Sequence, residues 1–145
     1  MDSLNHWNRY YYFEYTREGS YSVWKRLPGE SEIALQGWAT STAINTGDAW
    51  NTLRVVSNGS NLSFYINESL VWSGADISLT SGRVGIGFFR DDDGIEDDEL
   101  IVDWAKLTTS SPTAGTDMIS VEQQTLNKEA HNNHISNIDS NFFEP

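Results

Sequence analysis

The chain has 145 residues, no cysteine, and 21 acidic against 9 basic residues, which gives a net charge of −12 at pH 7. This length suits one domain, and the lack of cysteine excludes disulfides and cysteine-ligated zinc. The negative charge argues against nucleic acid as a partner, and no apolar run is long enough to insert into a membrane.

The first predicted element is a hairpin of two aromatic-rich strands, at residues 8–16 and 20–27. Gly19 supplies the left-handed backbone conformation that a three-residue hairpin loop needs. Pairing Thr16 with Ser20 across this loop places Phe13 opposite Val23. The hairpin therefore has a defined register, and with it two defined faces.

The two faces of this hairpin differ in chemistry, because side chains alternate across a strand. The face predicted to lie in the core carries only aromatic and apolar side chains: Tyr11, Phe13, Tyr15, Tyr21 and Val23. The other face interleaves three aromatic residues with an acid and a base: Tyr10, Tyr12, Trp24, Glu14 and Arg26.

A short strand is predicted at residues 33–38, followed by a loop of small and polar residues at 39–49. Residues 50–90 then form an antiparallel meander, because apolar side chains recur at every second position. Its predicted core residues are Leu53, Val55, Leu62, Phe64, Ile66, Val84, Ile86 and Phe88.

Two dipeptides in this meander, Asn58-Gly59 and Asn67-Glu68, are predicted to form tight hairpin turns with positive φ angles. Arg54 lies between core-facing positions of its strand, so its side chain points to the opposite face. We expect it to join the aromatic side chains of the first hairpin there.

After the meander come an acidic loop at residues 91–99, a last strand at 100–107 and a linker rich in Thr and Ser. Residues 118–130 are predicted to form a short helix, capped by Asp117. We therefore expect a sandwich domain at residues 1–109 and a linker with a partly helical C-terminal extension at 110–145, packed against the sheets.

Four stretches carry a resemblance: YYYFEYTREGSYSVWKRL, LQGWATSTAINTGDAWNTLRVVSNGSNLSFYINESLVWSG, LTSGRVGIGFF and LIVDWAKL. Together they resemble the C-terminal part of a concanavalin A-like, or LamG-like, jelly-roll domain. That group includes 3-keto-disaccharide hydrolases and family 16 glycosidases. The resemblance implies an antiparallel jelly-roll sandwich in an extracellular or cell-surface protein, although the first residues lack a signal-peptide pattern.

The resemblance also implies strands before residue 7 that are missing here. Either the chain is a fragment, or another copy or partner completes the fold. This expectation makes a structural or assembly module, including a homo-oligomer, one of the candidate functions.

The leading interpretation is a non-catalytic module that binds a glycan, because sugar rings stack on aromatic side chains and sugar hydroxyls bond to Arg and carboxylates. The alternative is that the same residues serve structure or a protein interface. The predicted ligand-binding residues are Tyr10, Tyr12, Glu14, Trp24, Arg26 and Arg54, with Trp38 and Trp72 at the rim.

The acidic loop is a candidate calcium site, although no cofactor is expected to be required. Carboxylates are hard oxygen ligands, and the predicted ones are Asp91, Asp93, Glu96 and Asp98. The loop does not fit an EF-hand, because a glycine at the required position would place Phe89 and Leu100 where acids are needed.

A glycoside hydrolase is the less favoured interpretation. The family 16 motif E-x-D-x-x-E needs two carboxylates that act together. Glu96 and Asp98 match its first two acids, but Ile101 occupies the third position. No catalytic residue is therefore assigned.

Overall fold

Ten antiparallel strands make up most of the chain that the computed structural model describes. The described residues are 9–79, 84–85, 87–89, 99–109, 118–128 and 137–139. The strands of the N-terminal half are β1 (Tyr10–Tyr15), β2 (Ser20–Arg26), β3 (Ile33–Thr40), β4 (Trp50–Asn58), β5 (Asn61–Ile66) and β6 (Ser69–Ala75). The remaining strands are β7 (Gly87–Phe89), β8 (Glu99–Thr109), β9 (Met118–Lys128) and β10 (Asn137–Asp139).

The strands form a β-sandwich. A three-stranded sheet of order β1-β2-β3 lies against a five-stranded sheet of order β6-β5-β4-β9-β8, and β10 pairs with β7 beside β1. The Phe13 and Phe64 rings meet between the two sheets, with centroids 5.1 Å apart at 68°. The predicted all-β sandwich is therefore confirmed.

The core contains the residues that sequence alternation predicted on both hairpins. Phe13, Val23 and Ile66 are completely buried. The other predicted core residues that are buried are Tyr11, Tyr15, Tyr21, Leu53, Val55, Leu62 and Phe64. Val84 packs at the edge of this cluster. Ile86 and the Phe88 side chain lie outside the described residues.

The predicted register of the first hairpin is also confirmed, with Phe13 opposite Val23 and Tyr12 opposite Trp24. Gly19 has a φ of 93° in the loop that joins the two strands. This angle is cheap for glycine, because it has no Cβ to clash with the backbone.

The two turns of the meander differ from each other. Asn67 and Glu68 both have positive φ, as predicted for a tight hairpin. In the other turn, Asn58 pairs with Asn61, so Gly59 is the first turn residue and it alone has a positive φ there. The predicted turn was wrong by one residue.

The predicted helix at residues 118–130 is wrong. Residues 118–128 form β9, which pairs with β4 on one side and with β8 on the other. Thr125 on this strand is completely buried, whereas its neighbour Gln124 is half-buried. Alternation of this kind belongs to a strand, and pairing with two neighbouring strands overrides the helix propensity of the local sequence. The predicted extension therefore contributes a strand to the sandwich.

Candidate functional site

The outer surface of the three-stranded sheet carries a ladder of aromatic rings. The Tyr10 and Tyr12 centroids are 5.7 Å apart, and Tyr12 and Trp24 are stacked at 6.3 Å with 13° between their planes. We use "aromatic face" for the outward side chains Tyr10, Tyr12, Trp24, Arg26 and Trp38, of which Tyr12 is only 8% exposed and supports the ring of Trp24. The structure thus brings together most of the predicted ligand-binding residues.

Two hydrogen bonds hold the rim of the aromatic face. The Tyr12 hydroxyl donates to Glu32 Oε2 at 2.9 Å, and Arg26 Nη1 donates to the Tyr10 hydroxyl at 3.4 Å. Glu32 and Arg26 are both exposed. A carboxylate and a guanidinium therefore lie beside the rings, where they can exchange hydrogen bonds with a bound polar molecule.

Glu14 has a positioning role on this surface. It is only 6% exposed and accepts a hydrogen bond of 2.5 Å from Ser22 Oγ. Ser22 Oγ in turn accepts one of 2.8 Å from Trp24 Nε1. These two hydrogen bonds fix the indole of Trp24. Glu14 was predicted to bind the ligand, but it is too buried to contact one.

Trp38 is the most accessible ring of the aromatic face, with 48% of its surface exposed. Its neighbour Ala39 packs against the core, so Trp38 points outward from β3. The register of β2 and β3 shifts between Tyr21 and Val23, which brings Trp38 level with Ser22. Trp38 is therefore diagonal to Trp24 on the same surface.

The prediction that Arg54 joins the aromatic face is wrong. Arg54 points outward, as its alternation indicated, but from the five-stranded sheet on the opposite side of the sandwich. There its guanidinium lies 3.8 Å from the ring centroid of Tyr65, and Nη2 pairs with Glu68 at 3.1 Å. Alternation fixed its orientation within the strand but could not say which sheet holds the strand.

The prediction that Trp72 lies at the rim of the aromatic face is also wrong. Its ring packs 5.5 Å from Phe64 at the edge of the core. Gly74 makes room for it, because a Cβ at that position would lie 2.7 Å from the indole. Any side chain at position 74 would push the ring away.

A second aromatic surface was missed by the sequence reasoning. Trp50 and Trp104 are 39% and 37% exposed on the outer surface of the five-stranded sheet. Trp50 could have been assigned there, because it alternates with the core residues of β4. Trp104 could not, because its position depends on β9, which the sequence predicted to be helical.

The predicted calcium ligands Asp91, Asp93, Glu96 and Asp98 lie outside the described residues, so this site stays a prediction. Within the described ranges, no three His, Cys, Asp or Glu residues cluster in a way that could hold a metal ion. In the same part of the chain, no helix has the length and apolar character needed to span a membrane.

No family model, curated protein or solved structure matches the chain. The resemblance to concanavalin A-like domains, and the jelly-roll connectivity that it implies, therefore remain predictions.

Proposed function

We propose that the protein is a non-catalytic recognition module that binds a neutral glycan on its aromatic face. The observation that carries this proposal is the 48% exposure of Trp38 on the same surface as Trp24, whose ring is stacked on the buried ring of Tyr12. The apolar face of a sugar ring stacks on such a surface, while its hydroxyl groups reach polar side chains at the rim.

The surroundings of the rings supply those polar groups. Glu32 and Arg26 lie at one end of the aromatic face, at the hydroxyls of Tyr12 and Tyr10. A carboxylate, a guanidinium and two tyrosine hydroxyls thus lie together at this end of the aromatic face.

The aromatic face is also organised before any ligand arrives. The indole nitrogen of Trp24 is held by Ser22, which is held by Glu14. Rings that are already fixed lose little conformational entropy on binding. The net charge of −12 disfavours sulfated or uronic-acid chains, which makes a neutral glycan the better ligand.

Affinity gel electrophoresis through dextran, xylan, glucomannan and mixed-linkage β-glucan tests the proposal. We expect at least one polysaccharide to retard the wild-type protein and to retard Trp38→Ala clearly less. Leu70→Ala is the matched control, since it removes an apolar side chain that is 53% exposed on β6 of the other sheet. Equal retardation of the wild-type and Trp38→Ala proteins would contradict the assignment.

A structural or assembly module is the second candidate, favoured by Leu107 of β8. Leu107 pairs with Val121, which pairs with the buried Val55, so it points toward the inner side of the sandwich, yet it is 58% exposed. An apolar side chain on an inner surface gains stability when another chain covers it.

Light scattering separates the two candidates. A wild-type oligomer that Leu107→Lys converts to a monomer, with no polysaccharide binding, would favour assembly. The control Thr108→Lys changes the neighbouring outward residue of the same strand and should leave the mass unchanged. A monomer that binds a polysaccharide favours glycan recognition.

A further inference from the structure

The strand register places Trp50 and Trp104 on one surface. Trp50 lies opposite Leu126 of β9, and Trp104 lies opposite Gln124, two residues further along β9. Gln124 also lies opposite Thr52 of β4. Because Gln124 adjoins the completely buried Thr125, it points outward, and the residues in register with it do the same.

The spacing of the two indoles suits an extended ligand. Trp50 and Trp104 lie on strands that flank β9 and are offset by two residues, which places their Cα atoms about 12 Å apart at ordinary sheet spacings. Among the residues whose side chains the structure describes, Thr52 and Gln124 lie between them. We use "tryptophan strip" for these four residues.

The chemistry of the tryptophan strip identifies the class of ligand. Its four side chains carry no charge, and its indoles are separated by an amide and a hydroxyl. If the ligand were the apolar surface of another protein, the amide of Gln124 would be left without hydrogen-bond partners, which costs free energy. A neutral sugar chain satisfies both groups, since its rings cover the indoles and its hydroxyls bond to the amide.

The charged residues of the same sheet lie outside the strip. The next row along the strands is Arg54, Glu122 and Lys106, in which opposite charges are neighbours. Arg54 also pairs with Glu68, so two basic and two acidic side chains balance one another beside the strip and do not favour an anionic ligand. The excess of acidic residues in the whole chain repels an anionic ligand.

The tryptophan strip and the aromatic face lie on opposite sides of the sandwich, because the inner surfaces of the two sheets meet at Phe13 and Phe64. Building on the proposed glycan-binding function, we propose that the tryptophan strip is a second neutral-glycan site, and that one molecule bridges two glycan chains. Two sites that face apart cannot serve one short ligand, whereas they join separate chains without any oligomer.

A protein molecule with two glycan sites cross-links polysaccharide chains, which increases light scattering, whereas a molecule with one site does not. Wild-type protein is mixed with whichever of dextran, xylan, glucomannan or β-glucan retards it in the gel, and light scattering of the mixture is followed during titration. We expect scattering to rise to a maximum and then fall in excess protein, when each chain is saturated by separate molecules.

The variants separate the two sites. Trp104→Ala and Trp38→Ala should each still be retarded in the gel, with weaker affinity, and neither should raise the scattering, alone or mixed. Trp50→Ala is a second strip variant that leaves the edge strand β8 unchanged. Leu70→Ala, outside both surfaces, should scatter as the wild type does, and circular dichroism verifies that every variant is folded.

Each of the other results overturns the inference. Undiminished scattering by Trp104→Ala and Trp50→Ala would show that the tryptophan strip is not a glycan site. If Trp38→Ala then lost all binding, the aromatic face would be the glycan site and the proposed function would still hold. Binding that needs Trp104 but not Trp38 would remove the aromatic face and the bridge. Wild-type protein that no polysaccharide retards would contradict both proposals.

Discussion

The Tyr11 hydroxyl donates a hydrogen bond of 2.5 Å to Asp76 Oδ1, which joins β1 to the segment that follows β6. The other carboxylate oxygen of Asp76 accepts a hydrogen bond of 2.6 Å from Lys25 Nζ. Lys25 also donates to Ser78 Oγ, whose backbone N–H returns to Asp76. The cluster ties the three-stranded sheet to the chain leaving the five-stranded one.

The first prediction concerns acid. Burial raises the pKa of Asp76, but hydrogen bonds from Lys25, Ser78 and Tyr11 outweigh it and hold the pKa well below the usual range for aspartate. The folded state therefore binds this proton more weakly than the unfolded state, whose pKa is about 3.9. Stability from Asp76 is full above that pH and is lost as the pH falls below it.

Thermal melts between pH 6 and pH 2 measure this dependence. Asp76→Asn should lower stability near neutrality by about 2 kcal/mol and flatten the acid limb of the curve. The control is Asp48→Asn, since the Asp48 side chain is 46% exposed in its ion pair with Arg17. Parallel acid limbs in the wild type and Asp76→Asn would show that another carboxylate controls acid unfolding.

The second prediction concerns alkali. Burial, followed by the hydrogen bond to Asp76 and its negative charge, raises the pKa of Tyr11. The unfolded chain loses this proton near the ordinary tyrosine pKa of about 10, so stability from Tyr11 is full below that pH and is lost above it. Tyr11→Phe should reduce the loss of melting temperature between pH 9 and pH 11. Tyr65→Phe, on the outer surface, should keep the wild-type slope, and an unchanged slope in Tyr11→Phe would contradict the argument.

The third prediction concerns Asn51, which is 1% exposed. Its Oδ1 accepts hydrogen bonds of 2.8 Å from the Asn45 backbone N–H and from Asn67 Nδ2, and its Nδ2 donates to the Asn45 carbonyl at 2.9 Å. It thus holds the β3–β4 loop to the β5–β6 turn. Asn51→Leu removes these bonds and leaves buried groups unpaired, so we expect a loss of about 2–4 kcal/mol in urea unfolding.

Asn61→Leu is the matched control for this variant, because Asn61 is an exposed asparagine at the start of β5. Its unfolding midpoint should stay close to that of the wild type. If both variants unfold at the wild-type midpoint, the amide network contributes nothing to stability.

Sequence alternation predicted the fold as far as β6 because the inward side of each hairpin there is apolar or aromatic, even though the outward Tyr12 and Glu14 of β1 are also buried. Phe13, Leu53 and Phe64 show this, since each alternates with outward residues and each is buried. The same alternation oriented Arg54 correctly yet could not assign its sheet, because a period of two gives a direction within one strand only. The relation between distant strands comes from packing.

The two tryptophans of the strip show the same limit. Trp50 and Trp104 are far apart in the sequence and share a surface only because β9 enters between β4 and β8. Residues 118–128 contain several good helix formers, so local propensity favoured the wrong element. Without β9, the facing edges of β4 and β8 would lack backbone hydrogen-bond partners. The hydrogen bonds that β9 makes to both edges outweigh its preference for a helix.

The last prediction tests β9 with two neighbouring residues. Thr125 is completely buried, and its hydroxyl lies 3.4 Å from that of Tyr15, whereas Gln124 points outward. Thr125→Lys places an ammonium in the core with no partner, so we expect loss of at least about 3 kcal/mol or failure to fold. Gln124→Lys, one residue away, should change stability by less than about 0.5 kcal/mol. Equal stability of the two variants, measured by urea unfolding, would mean that residues 118–128 do not form a strand between β4 and β8.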